Sequence, residues 1–82
     1  MRVDKFFKAV NITKRRFTAK DMIINNIVLI NDNLVSKPAK NIAVGDIITI
    51  NYLESVSKYE VLKIPTTKTT PKSLQEEYII KL

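Results

Sequence analysis

Thr13-Lys-Arg-Arg-Phe-Thr-Ala-Lys-Asp-Met-Ile-Ile-Asn-Asn-Ile-Val-Leu-Ile-Asn31 reads as a basic helix that turns directly into an apolar strand. Thr13 is placed to cap the helix, and Ile12 and Phe17, just outside and just inside that cap, are spaced for a hydrophobic staple. At about 100° per residue, Ala19, Met22 and Ile23 share one face, and Arg16 and Lys20 lie together beside it. Phe17 comes next to that pair, so its ring has two uses open to it: the staple with Ile12, or a stacking face for an unpaired base. Asn25 and Asn26 end the helix, because Asn tolerates the left-handed backbone of a C-terminal cap. Ile27 to Ile30 is then a short strand, and Asn31-Asp32-Asn33 is a turn of residues that accept positive φ.

Upstream, Val3, Phe6, Phe7 and Val10 follow the i, i+3, i+4, i+7 spacing of an amphipathic helix over residues 2–10. Arg2 and Lys5 flank its apolar stripe, and Asp4 and Lys8 are spaced for an i, i+4 pair. The short link to the second helix makes the two helices packing neighbours. Downstream, Leu34 to Ser36 reads as a strand, and Lys37-Pro38 interrupts pairing, leaving 37–41 as a loop or sheet edge that exposes Lys37 and Lys40. Gly45-Asp46 marks a turn before a β-rich run, Ile47 to Leu53. After a polar turn at 54–57, a further strand spans about 58–64 and stops at Pro65. Thr66 to Lys72 reads as a flexible connection, and Ser73-Leu-Gln-Glu76 as a capping box opening a terminal helix with Leu74, Tyr78 and Leu82 along one side.

These elements describe one α+β domain: two N-terminal helices on a small, twisted, mostly antiparallel sheet of four or five short strands, plus a loosely attached short C-terminal helix. The division expected is residues 1–65 for the domain and 66–82 for the connection and helix. With 82 residues and 45% apolar content there is room for one modest core and no second domain. The absence of Cys fits a reducing compartment. No run approaches the roughly 18 apolar residues of a membrane span, and Met1 leads straight into alternating charge, so a cytoplasmic protein is expected.

Charge placement is the most informative compositional fact. The net charge is +6, and residues 1–40 hold all of it: Arg2, Lys5, Lys8, Lys14, Arg15, Arg16, Lys20, Lys37 and Lys40 against Asp4, Asp21 and Asp32. Residues 41–82 balance to zero. A positive field concentrated on one part of a small fold selects a polyanionic partner. Catalysis is disfavoured: with no His and no Cys there is no imidazole or thiolate chemistry, and a single Gly leaves no Gly-rich phosphate loop. The eight acids form no pair that reads as an acid/base couple, and neither a metal site nor a cofactor is expected.

Arg2-Val-Asp-Lys-Phe-Phe-Lys, Lys14-Arg-Arg-Phe-Thr-Ala-Lys, Val28-Leu-Ile-Asn and Val44-Gly-Asp-Ile-Ile, in unbroken order, resemble the RNA-binding domain named after small-subunit ribosomal protein four, the S-four or alpha-L domain. The chain is most similar to its standalone members, the fifteen-kilodalton heat-shock protein and the RqcP (YabO) group of ribosome quality-control factors. The resemblance implies binding to ribosomal RNA on large subunits obstructed by peptidyl-tRNA, contact with tRNA, a second quality-control factor as partner, and assistance in C-terminal tailing. It implies a monomer off the ribosome and no membrane partner. Arg2, Lys5, Lys14, Arg15, Arg16 and Lys20 are the RNA-contacting residues implied, with Lys8, Lys37 and Lys40 as further candidates. Two positions depart from the pattern, since Asn26 and Asp32 stand where the domain usually has Gly. Other readings are an appendage of an RNA-modifying enzyme, a ribosome assembly factor, or an adaptor for an acidic protein or anionic membrane surface. The start at Met1 and the closing capped helix lead us to expect a complete chain rather than an appendage.

Arg2 and Arg16 each border an apolar stripe and are expected on one common electropositive face. Arg16→Ala should weaken RNA binding and lower the slope of log affinity against log salt by about one, with an unchanged circular dichroism spectrum.

Overall fold

The computed structural model describes residues 1–66 and 70–82, and the side chains of all of these except Arg16 and Lys72. Helix α1 (Val3–Ala9) and helix α2 (Arg16–Ile24) precede strands β1 (Val28–Ile30), β2 (Asn33–Leu34), β3 (Ile47–Asn51) and β4 (Val56–Val61). A 3-10 turn at Lys72–Leu74, helix α3 (Gln75–Tyr78) and strand β5 (Ile79–Lys81) close the chain. The five strands form one antiparallel sheet in the order β2-β1-β3-β4-β5. The α+β layout of two helices on a small sheet is as expected.

One face of the sheet carries the core. Val28 pairs with Ile50 and Ile30 with Ile48, so their side chains share a face, and Val61 opposite Ile79 continues it across β4 and β5. All six are buried, together with Val3, Phe6, Phe7 and Val10 of the α1 region and Ala19 and Ile23 of α2. The expected stripes of both helices are the faces that pack.

Both helices end in the same way, on asparagine. At α1, Asn11 has φ 65°, its N–H donates to Lys8 O (3.1 Å) and Ile12 N–H donates to Phe7 O (2.9 Å). At α2, Asn26 has φ 61°, its N–H donates to Ile23 O (3.2 Å) and Ile27 N–H donates to Met22 O (3.0 Å). Each is a Schellman closure, with Asn taking the left-handed position usually given to Gly. Asn31 (φ 53°) and Asp32 (φ 65°) form the two-residue hairpin turn between β1 and β2, where positive φ at both positions matches the strand twist. Gly45 (φ 92°) makes the turn into β3.

Several expectations are corrected. Helix α2 begins at Arg16, with Arg15 rather than Thr13 in the cap position. Thr13 is held against α1 by its N–H to Phe7 O (3.2 Å), and its hydroxyl donates to Arg15 O (3.1 Å) instead of accepting from the helix. The shift abolishes the staple: Ile12 packs on the core while Phe17 is 71% exposed. Strand β3 stops at Asn51, leaving Leu53 fully exposed at the hairpin tip, and β4 ends at Val61, where Leu62 N–H turns to Tyr78 O (2.8 Å).

The C-terminal segment departs most. Ser73 lies in the 3-10 turn, no side chain caps α3, and the helix lasts four residues. Ile79 to Lys81 then pair with Val61 to Tyr59 as a fifth strand, so what reads as a loose helix is a short turn of helix feeding an edge strand. Of the expected flexible connection, 67–69 lie outside the described residues. Thr70 is buried against α1: its N–H and hydroxyl both donate to Ala9 O (2.9 and 2.8 Å), and Gln75 Nε2 donates to Val10 O (2.7 Å).

Because Ile79 is only 4% exposed and registers against Val61, Ile79→Ala should lower stability by about 2–4 kcal/mol in urea unfolding. A loosely attached tail would leave the unfolding curve where it is.

Candidate nucleic-acid interface

Helix α1 buries almost all of its circumference. Val3, Asp4, Phe6, Phe7 and Ala9 are inaccessible, which leaves Lys5 and Lys8, three residues apart, as the outward ridge. Lys5 is exposed and Lys8 half-buried, as expected for a long side chain whose stem lies along the helix and whose ammonium reaches water.

Arg2 stands in the cap position at the head of this ridge. Its Nε and Nη2 both donate to the Asp4 carboxylate, at 3.2 Å to Oδ1 and Oδ2, and Asp4 Oδ1 also accepts the Lys5 backbone N–H at 2.8 Å. The Asp4 side chain is wholly buried while that of Arg2 is 40% exposed, so a buried carboxylate holds a surface guanidinium by a two-point grip. Two of the five guanidinium N–H donors are used there and the others remain for an outside acceptor. Among the described residues, the ion pair of Asp4 is with Arg2, where the spacing suggests Lys8.

The loop carrying Lys37 and Lys40 is docked on the start of α1. Val3 N–H donates to Lys40 O (2.8 Å), Asp4 N–H to Pro38 O (3.4 Å), and Ile42 N–H to Met1 O (2.9 Å), while Arg2 and Asn41 form an isolated antiparallel bridge. These bonds bring the backbone of Lys40 beside Arg2 although 38 residues separate them in sequence. Lys37 and Lys40 are both exposed on that loop.

A second group of cations precedes α2. Lys14 and Arg15 are exposed and Lys20 is half-buried one turn into the helix. Arg15, in the cap position, makes no side-chain capping bond, and no acid lies in the first turn of α2. The positive end of the helix dipole therefore adds to these charges. Arg16 opens the helix, but its side chain, and with it the expected common face with Arg2, lies outside what is described.

No protein-family model matches the chain. Two curated relatives from Helicobacter pylori do, each called RQC P-site tRNA stabilizing factor: that of strain J99 is 39% identical and that of strain 26695 37% identical, both over 79 residues, 96% of this chain and 93% of the relative. The chain belongs to the family of RQC P-site tRNA stabilizing factors. Among solved structures, a protein described only as hypothetical is 35% identical, with a TM-score of 0.85 over all of this chain and 96% of the other. A trimeric structure of heat-shock protein 15 from Vibrio cholerae superposes with a TM-score of 0.88 over all of this chain and 81% of the other, at 22% identity, which establishes likeness of fold.

Two features of this family member were not foreseen from sequence. Asp4 reads as one more surface acid, and only its burial reveals that it orients Arg2. The docking of the 37–41 loop on α1 had no local signal, since it is made by backbone groups.

Asp4→Asn keeps the shape but removes the charge that grips Arg2, and should cost roughly 1–3 kcal/mol in denaturant unfolding. Lys8→Ala, on the outward ridge, should leave the same curve within about 0.5 kcal/mol.

Proposed function

We propose that this protein binds RNA without catalysis, on the large ribosomal subunit, and stabilises the P-site tRNA in ribosome-associated quality control, the role named for its relatives. The observation that carries the reading is the pairing of near full-length similarity to those relatives with the convergence of Arg2, Lys5, Lys37 and Lys40 around one helix start. Phosphate contact requires cations at set spacing on a rigid support, and a helix whose first amides are bonded to the neighbouring loop provides it.

Arg2, Lys5, Lys8, Lys37 and Lys40 form one set of contacts in this reading, and Lys14, Arg15, Arg16 and Lys20 the other. Two sets, one at the head of α1 and one at the head of α2, suit a folded RNA whose phosphates are met on more than one strand. Side chains cannot read the deep major groove of an RNA helix, so recognition is by shape and backbone charge. A second quality-control factor on the obstructed subunit, and a contribution to C-terminal tailing, belong to the same proposal. A cytoplasmic location follows from the ribosomal role, and none of the described helices is long and apolar enough to cross a membrane.

The test separates charge from fold. Arg2 is unsuitable as the probe, because removing it takes a two-point partner from the buried Asp4 carboxylate and lowers stability along with binding. Lys5 and Lys40 are both exposed. The tagged double variant Lys5→Ala, Lys40→Ala should sediment away from large subunits in a sucrose gradient on which the wild-type protein travels with subunits holding peptidyl-tRNA. Its salt slope on ribosomal RNA should be lower by about two. Co-sedimentation equal to wild type would remove these cations from the interface.

A further inference from the structure

Phe17 is a large apolar side chain that the fold does not use. It sits at the second position of α2, opposite the buried Ala19 and Ile23, and is 71% exposed. Its candidate intramolecular partner, Ile12, is packed on the core instead. An exposed aromatic ring at a helix start contributes little to stability and leaves its face open to a ligand.

The surroundings select the kind of ligand. Lys14 and Arg15 are exposed immediately before the ring, Lys20 lies one turn beyond it, and no acid occurs in the first turn of α2. Residues 14–20 contain four cations, and the exposed Asp21, one turn beyond Phe17, is the acid that follows them, so the stretch 14–21 carries a net charge of +3. An apolar protein surface would find no relief for that charge. A nucleotide satisfies both features together: its base presents a π-face to the ring and its phosphates lie within reach of the flanking cations.

We propose that Phe17 is a stacking platform for an unpaired nucleobase, with Lys14 and Arg15 taking the adjoining phosphates. The proposal rests on the RNA-binding reading above and deepens it: α2 reads a flipped or bulged nucleotide, whereas the cations at α1 grip backbone. One class of RNA feature, an unpaired base next to a stem, is thereby preferred over a continuous duplex.

Two RNA probes distinguish the outcomes by fluorescence anisotropy: a fully paired hairpin stem, and the same stem with one bulged nucleotide. Phe17→Leu retains apolar volume but has no aromatic face. It should bind the bulged probe about tenfold more weakly while leaving the paired probe unchanged. The salt slope should stay at the wild-type value because no charge is lost. Phe17→Tyr should restore the preference for the bulge. Equal binding of both probes by Phe17→Leu and wild type overturns the proposal, as does an equal loss on both. A Phe17→Leu protein with normal RNA isotherms that nevertheless leaves the large subunit would make the ring a protein contact and overturn it too. The RNA-binding reading has its own control: Arg15→Ala and the Lys5, Lys40 double variant should weaken both probes, and if none of these cations matters, that reading fails independently of Phe17.

Discussion

Helix α1 has seven residues, too few to persist by its own hydrogen bonds, and both of its ends are secured by remote parts of the chain. At its start, the amides of Val3 and Asp4 donate to the carbonyls of Lys40 and Pro38; at its end, the carbonyls of Ala9 and Val10 accept from Thr70 and Gln75. These are the backbone groups that a helix cannot satisfy within itself. The consequence reaches the whole molecule, because one bond set fixes the basic loop against Arg2 and the other ties the C-terminal segment to the helix layer before it enters the sheet as β5.

The same helix shows how a small domain divides charge between stability and function. Its circumference is committed to the core except for the ridge of Lys5 and Lys8, so these cations are presented on a support that cannot roll away. Burying Asp4 is costly, and the bidentate grip of Arg2 with the Lys5 amide offsets that cost. The arrangement makes Arg2 a structural residue and a surface cation at once. Its substitution therefore has two effects that a binding measurement alone would merge.

A chain with one glycine must turn by other means. Asn11, Asn26, Asn31 and Asp32 occupy left-handed backbone, and the side chains of two of them are put to further use. Asn11 Nδ2 donates to Thr70 O (2.8 Å), joining the end of α1 to the C-terminal segment. Asn31 donates from Nδ2 to Asp46 Oδ1 (3.0 Å) and accepts the Ile47 N–H at Oδ1 (2.9 Å), while Asp46 Oδ2 accepts the Ala43 N–H (2.8 Å). The β1–β2 hairpin is in this way clamped to the start of β3. Glycine would turn as well but would supply no clamp, and it would leave a more flexible unfolded chain.

What was legible in the residues is what short-range periodicity and backbone preference control. The stripes of α1 and α2, the left-handed Asn26, the Asn31-Asp32 turn, the core strands and the asymmetry of charge all follow from local spacing and side-chain chemistry. The α2 start falls later than the spacing suggests because the Thr13 hydroxyl donates to Arg15 O instead of accepting a helix amide, while its N–H is held by Phe7 O. The terminal strand was hidden because Ser73 to Glu76 satisfies a helix pattern for one turn, whereas the pairing of Ile79 with Val61 depends on where β4 ends. Only tertiary structure decided that Asp4 is buried beneath Arg2, that Lys40 lies beside Arg2, and that Phe17 faces solvent. The physical reason is common to all three: each outcome is set by which backbone groups and apolar surfaces distant segments leave unsatisfied, and no window of neighbouring residues contains that information.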